Sequence, residues 1–161
     1  MIDPITITGI ITAASSAIDL VDKVADQFTR FVKKQPNLPA AAEAHRYKIE
    51  GDSQKIVVKS QGKEIQRITG DDLKNLPADY YEHIRTLEQS MQAHYRLWQR
   101  IYPKRNSSPD ELKNAQTDEQ IDQLIVNMKQ DLDGIITFLE SIGVHLSDHY
   151  LTVRNLARQT K

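Results

Sequence analysis

Apolar residues recur every three or four positions through three long stretches of this chain, and a helix carrying one such band is not stable alone in water. In the first stretch Ile7, Ile10, Ala14, Ala17, Val21, Val24, Phe28 and Phe31 keep the spacing, and Ile11, Ile18, Ala25 and Val32 widen the band. The second carries Ile84, Leu87, Met91, Trp98 and Ile101, with His94 or Tyr95 in the same band, and the third Ile121, Ile125, Met128, Leu132, Ile135, Leu139 and Ile142. Helices of this kind must bury their bands against one another, which makes a bundle the expected architecture.

Local chemistry sets the expected ends of these helices. Asp3 is placed to cap the first one, with Pro4 at the first helical position, and Pro36 and Pro39 lie beyond its end. Pro77 opens the second and Pro103 stops it. Ser108, Pro109 and Glu111 combine a hydroxyl cap, a proline at the first helical position and a glutamate three residues on, and Thr117 with Gln120 repeats the pattern, suggesting a restart or kink. Gly143 stands where a left-handed residue closes a helix, with Val144 able to cover the cap, and a short helix is expected from Ser147 or Asp148 to about Arg158, burying Tyr150, Val153 and Ala157 beneath Leu146.

Between the first two helices, after an Ala-rich segment at Ala40 to Ala44, the period shortens. Tyr47 to Glu50, Lys55 to Ser60 and Lys63 to Ile68 read as strands, separated by Gly51-Asp52-Ser53 and by Gln61-Gly62. A regular two-residue turn at Gln61-Gly62 sets Val58 opposite Ile65 but Ile56 opposite Arg67, which leaves the register open. The expected fold is therefore mainly α (α+β): three long helices plus a short C-terminal helix, with a small antiparallel β meander over about 46–69. Residues 1–161 are expected to form one domain, because two cores of half this size would each need disulfides or metals and the chain has no cysteine.

The same lack of cysteine excludes thiolate metal sites, iron–sulfur ligation and cysteine nucleophiles, and fits a reducing compartment. The first positive charge is Lys23, against a basic leader, and the charge-free run Pro4 to Ile18 falls short of the roughly 20 apolar residues of a membrane span, so a cytoplasmic location is expected. His145 and His149 have the four-residue spacing of a helical metal pair beside Asp148, but a helix starting at Ser147 would separate the rings, and no third ligand is evident. No glutamate has a histidine three residues later, and phosphate-cradling glycine loops, serine elbows and His-Glu-x-x-His are absent. His94, near the second apolar band, reads as a core-edge imidazole with one hydrogen bond. No cofactor and no catalytic residue are expected.

Arg96, Arg100 and Lys104 are four residues apart and interleave with Tyr95, Trp98 and Tyr102, a pattern that can follow phosphates while rings stack on bases. Against nucleic acid stand the core positions of Trp98 and Ile101 and a formal net charge of −1. The following region is acidic at Asp110, Glu111, Asp118, Glu119, Asp122, Asp131 and Asp133, which offers an intramolecular complement.

The run Asp3-Pro4-Ile5-Thr6-Ile7-Thr8-Gly9-Ile10-Ile11, with Ala- and Ser-rich turns and a charged continuation to Val32, resembles the opening helix of HeLo and HeLo-like domains of fungal cell-death proteins, over about 30 of 161 residues. The resemblance implies a first helix that leaves a bundle and disturbs membranes, with Ile5, Ile7, Ile10 and Ile11 facing lipid and Gly9 allowing a bend. From the residues themselves the leading expectation is a non-enzymatic module that recognises another protein or a second copy of itself through an exposed apolar strip at Ile5, Ile7, Ile10 and Ile11. Membrane perturbation by the first helix and single-stranded nucleic-acid binding by Arg96, Arg100 and Lys104 are the alternatives.

Overall fold

The structure, a computed structural model, describes residues 3–31 and 48–158, the side chains of 26–31 and of His149 excepted. The expected positions at Phe28, Phe31, Val32, Pro36, Pro39, Ala40 to Ala44, His45 and Tyr47 lie outside that description, as does the ring of His149. The described elements are α1 (Pro4–Phe31), β1 (Lys48–Gly51), β2 (Lys55–Ser60), β3 (Lys63–Thr69), a one-turn α2 (Gly70–Leu73), α3 (Asp79–Ile101), a 3-10 turn (Tyr102–Lys104), α4 (Glu111–Ser141) and α5 (Asp148–Arg158). The chain is mainly helical with a small β meander after the first helix, as its periodicities require.

Long-range contacts set the helix directions. Gly9 lies against Tyr81, and the Ser16 hydroxyl donates to Glu88 Oε1 at 2.9 Å. Both pairs advance together along the chain, so α1 and α3 run parallel. Leu87 lies on Gly134, Ser90 and His94 meet Asp131, and Tyr80 and His83 meet Phe138, so α4 runs back along α3. Arg154 pairs with Glu140 and Arg158 with Asp133, which lays α5 antiparallel on the end of α4. One apolar cluster joins these helices and the sheet: Ile10, Ile11, Ala14, Ile18 and Val21 of α1 meet Ile84 and Met91 of α3, and Leu132, Ile135, Ile136 and Leu139 of α4, all buried.

The helix ends follow capping chemistry. Asp3 Oδ1 accepts the Thr6 N–H at 2.9 Å and Oδ2 accepts the Thr6 hydroxyl at 2.8 Å, and these bonds hold the Asp3 carboxyl below the usual carboxylate range. Gly143 carries φ 95; its N–H donates to Glu140 O and that of Val144 to Leu139 O, the paired closure of a left-handed C-terminus, with Val144 buried beneath it. Two expected starts differ. α4 begins at Glu111 with Asp110 as its cap, Asp110 Oδ1 accepting the Leu112 N–H, while the Ser108 hydroxyl accepts the Asp110 N–H in the preceding turn. There is no restart at Thr117, whose hydroxyl bonds back to Lys113 O inside a continuous helix. A short helix also forms at Gly70–Leu73, where Asp72 accepts the N–H of Thr69 at 2.8 Å.

The sheet is antiparallel in the order β1-β2-β3 and packs on α1. Gly51 lies so close to Ser15 that a β-carbon there would strike its hydroxyl, which sets how near β1 approaches the helix. Gln61 and Gly62, with φ of 52 and 81, make the hairpin turn. A bulge follows: Lys59 faces Glu64, but Val58 faces Gln66 and Ile56 faces Ile68. The extra residue is Ile65, turned to solvent, and the skip resolves the register by bringing Ile68 rather than Arg67 opposite the buried Ile56. Gln66 then spans to the bundle, its Nε2 donating to Gly143 O at 2.6 Å and its Oε1 accepting the His145 N–H at 2.8 Å.

Candidate functional site

The first turns of α1 do not present the four isoleucines as one strip. A helix turns about 100° per residue, so Ile5 falls on the side away from Ile10 and Ile11. Ile5 is 85% exposed, Ile7 is half-buried against the core, and Ile10 and Ile11 are buried. Ile7 and Ile11 floor an open cleft of about 440 Å³ whose rim includes Thr8, Gln54, Asp71 and Lys74. Counted over the helix, Pro4–Ala25 is long and apolar enough, by length and composition alone, to cross a membrane.

Between α3 and α4 lies a polar cluster. Asp131, 7% exposed, accepts the Ser90 hydroxyl on Oδ1 at 2.8 Å and lies 2.7 Å from His94 Nδ1 through Oδ2. The residue types are those of a hydrolytic triad, but the wiring differs. A nucleophilic serine gives its proton to the imidazole nitrogen that does not face the carboxylate. Here Ser90 donates to the carboxylate itself, and its contact with His94, 3.4 Å, is to the same Nδ1. The arrangement satisfies a buried acid from two sides and ties α3 to α4, so His94 is the hydrogen-bonded core-edge imidazole its position suggests. Among the described residues no three His, Asp or Glu side chains converge as a metal would need, and His145 engages Gln66 through its backbone.

The outer face of α3 is different in character. Arg96, Arg100 and Lys104 are exposed, and Leu97 is 38% exposed beside them. The rings between them turn the other way: Trp98 is buried, stacked on Tyr102 at 4.8 Å and on Tyr95 at 6.1 Å. Arg105 lies over the Tyr102 ring at 3.7 Å and donates to its carbonyl. The intramolecular complement offered by the acidic region is not taken up: among the described residues no ion pair joins Arg96, Arg100 or Lys104 to any carboxylate. Asp131 is engaged with Ser90 and His94, and Asp133 with Arg158. Hydrophobic periodicity places Trp98 inward, but only the tertiary arrangement reveals that the basic row is left open.

No family model matches the chain, and no curated protein or solved structure matches it significantly.

Proposed function

We propose that this chain is a non-enzymatic protein-interaction module whose docking surface is the outer face of α3 and of the 3-10 turn that follows it, where Arg96, Arg100 and Lys104 receive an acidic protein surface and Leu97 contributes apolar contact. The observation that carries the reading is that these three cations are exposed and unpaired among the described residues while the aromatic rings between them are packed inward. A single-stranded nucleic acid needs open ring faces for its bases, and Trp98 offers none. A carboxylate-bearing partner needs only the charges. An NMR titration tests this. An acidic peptide is expected to shift amides of residues 93–105 in a salt-sensitive way, and R96E/R100E to abolish the shifts; shifts with oligouridine but none with the peptide would reject the reading.

Membrane perturbation by α1 remains the second reading, supported by the apolar run Pro4–Ala25. Its difficulty is energetic. Ile10, Ile11, Ile18, Val21 and Val24 are buried in the bundle, and at about 2 kcal/mol each their exposure costs on the order of 10 kcal/mol. That equals the whole net stability of an ordinary domain, about 5–15 kcal/mol, so release of α1 amounts to unfolding. Dye release from liposomes that disappears on deletion of residues 1–20 would favour this reading over the first.

A further inference from the structure

The helix that follows the basic row begins without a core. None of the ten residues Glu111–Gln120 is buried, Leu112 is 67% exposed, and the first buried position of α4 is Ile121. These turns present Glu111, Asp118 and Asp122, seven and eleven residues apart from the first, which places them within about 20° of one line on a helix. Asp110, Glu111, Asp118, Glu119 and Asp122 against the single Lys113 give residues 110–122 a charge of −4, and Arg96, Arg100, Lys104 and Arg105 give residues 96–105, the end of α3 and the turn after it, +4. The two surfaces are equal and opposite in a chain of net charge −1, and no ion pair unites them within one copy among the described residues.

Resting on the reading of α3 as a docking surface, we propose that its partner is a second copy of this chain, the basic row of each copy lying on the acidic overhang of the other. The spacings agree: Arg96 and Arg100 are four residues apart, as are Asp118 and Asp122, about 6 Å along either helix. Leu97 and Leu112, both exposed, supply apolar contact beside the charges. A two-fold axis makes the contact twice, so each copy uses both of its unpaired surfaces and the assembly closes. Exposed ion pairs are individually weak and screened by salt, so the association is weak and salt-dependent.

Sedimentation velocity on the full chain tests this directly. A concentration-dependent dimer is expected at low salt, with the association constant falling at least about tenfold between 50 and 500 mM salt as the Debye length shrinks. R96E/R100E/K104E and D118K/E119K/D122K are each expected to be monomeric, and an equimolar mixture of the two to recover the dimer, since both contacts are then complementary again. Circular dichroism of each variant confirms that it is folded. A wild-type chain that stays monomeric at every concentration and salt overturns the proposal, as does a mixture that fails to associate when both variants are folded. If the acidic peptide still binds α3 in that case, the docking surface stands and the second copy alone is wrong; if neither binds, both fall. Binding of oligouridine to a monomeric chain, lost in R96E/R100E/K104E, assigns the row to nucleic acid instead.

Discussion

The Tyr150 hydroxyl donates to Asp22 Oδ1 at 2.8 Å, joining α5 to α1 across 128 residues of chain. The ring is buried, and the carboxylate sits on the half-buried flank of α1. Hydrogen bonds to a charged acceptor contribute more than neutral ones, so Tyr150→Phe is expected to lower stability by about 1–2 kcal/mol with the fold intact. Urea unfolding followed by circular dichroism measures the loss, and an unchanged midpoint would show that the bond adds nothing.

Asp131 is buried with two donors aimed at it. Removing it in Asp131→Ala leaves Ser90 and His94 without their shared acceptor and opens space at the α3–α4 contact. A loss of about 2–3 kcal/mol is expected, with Asp131→Asn milder because one oxygen still accepts. Both can be ranked by guanidinium midpoints, and a neutral Asp131→Ala would remove the cluster from the list of forces that hold α4 in place.

Gly9 packs directly against α3, since a β-carbon there would lie 2.7 Å from the Tyr81 ring. Alanine normally favours a helix over glycine by about 1 kcal/mol. Here overpacking, about 1–3 kcal/mol, opposes that preference, so Gly9→Ala is expected to destabilise the protein. In a Tyr81→Ala background the sign should reverse. A stabilising Gly9→Ala in the native background would mean the ring moves aside freely.

Four carboxyls sit below their ordinary values: Asp3 through the bond from the Thr6 N–H, Glu50 through Lys59 and Lys48, Asp52 through the N–H groups of Gln54 and Lys55, and Glu64 through Arg67. A carboxyl whose value is lower in the folded state favours folding fully above its unfolded value, near 4, and loses that contribution as pH falls through its folded value. Stability from these groups is therefore expected to be level above about pH 5 and to decline below it. Chemical denaturation across pH 2–7 checks the direction, and Asp3→Ala should flatten part of the slope.

Much of this fold is written in short-range chemistry. The bands of all three long helices, the Asp3 cap and the Gly143 closure follow from spacing within a few residues, and so does the meander. The short α2 was equally local, since Thr69 and Asp72 stand three apart as a capping pair, but one turn is too brief to produce a periodic signal. The bulge at Ile65 belongs to another class, because it depends on which residue of β3 the core accepts opposite Ile56. The same division runs through the candidate site. That Trp98 faces inward is a matter of helical angle, readable from position alone, and the same angle parts Ile5 from Ile10 and Ile11, which the expected strip of four isoleucines places together. That Asp131 serves Ser90 and His94 while the row at Arg96, Arg100 and Lys104 goes unpaired depends on how α4 lies along α3, which no local pattern encodes.

The parallel course of α1 and α3 has a kinetic side. Gly9 with Tyr81 and Ser16 with Glu88 are each separated by 72 residues, so every step of that contact closes a loop of similar size. The α3–α4 pair instead can zip outward from the turn at 102–110, each new contact adding little to a loop already closed. The transition state for folding is thus expected to contain the α3–α4 hairpin with α1 still undocked. Truncating Leu87 should slow refolding, and truncating Ile18 should chiefly speed unfolding.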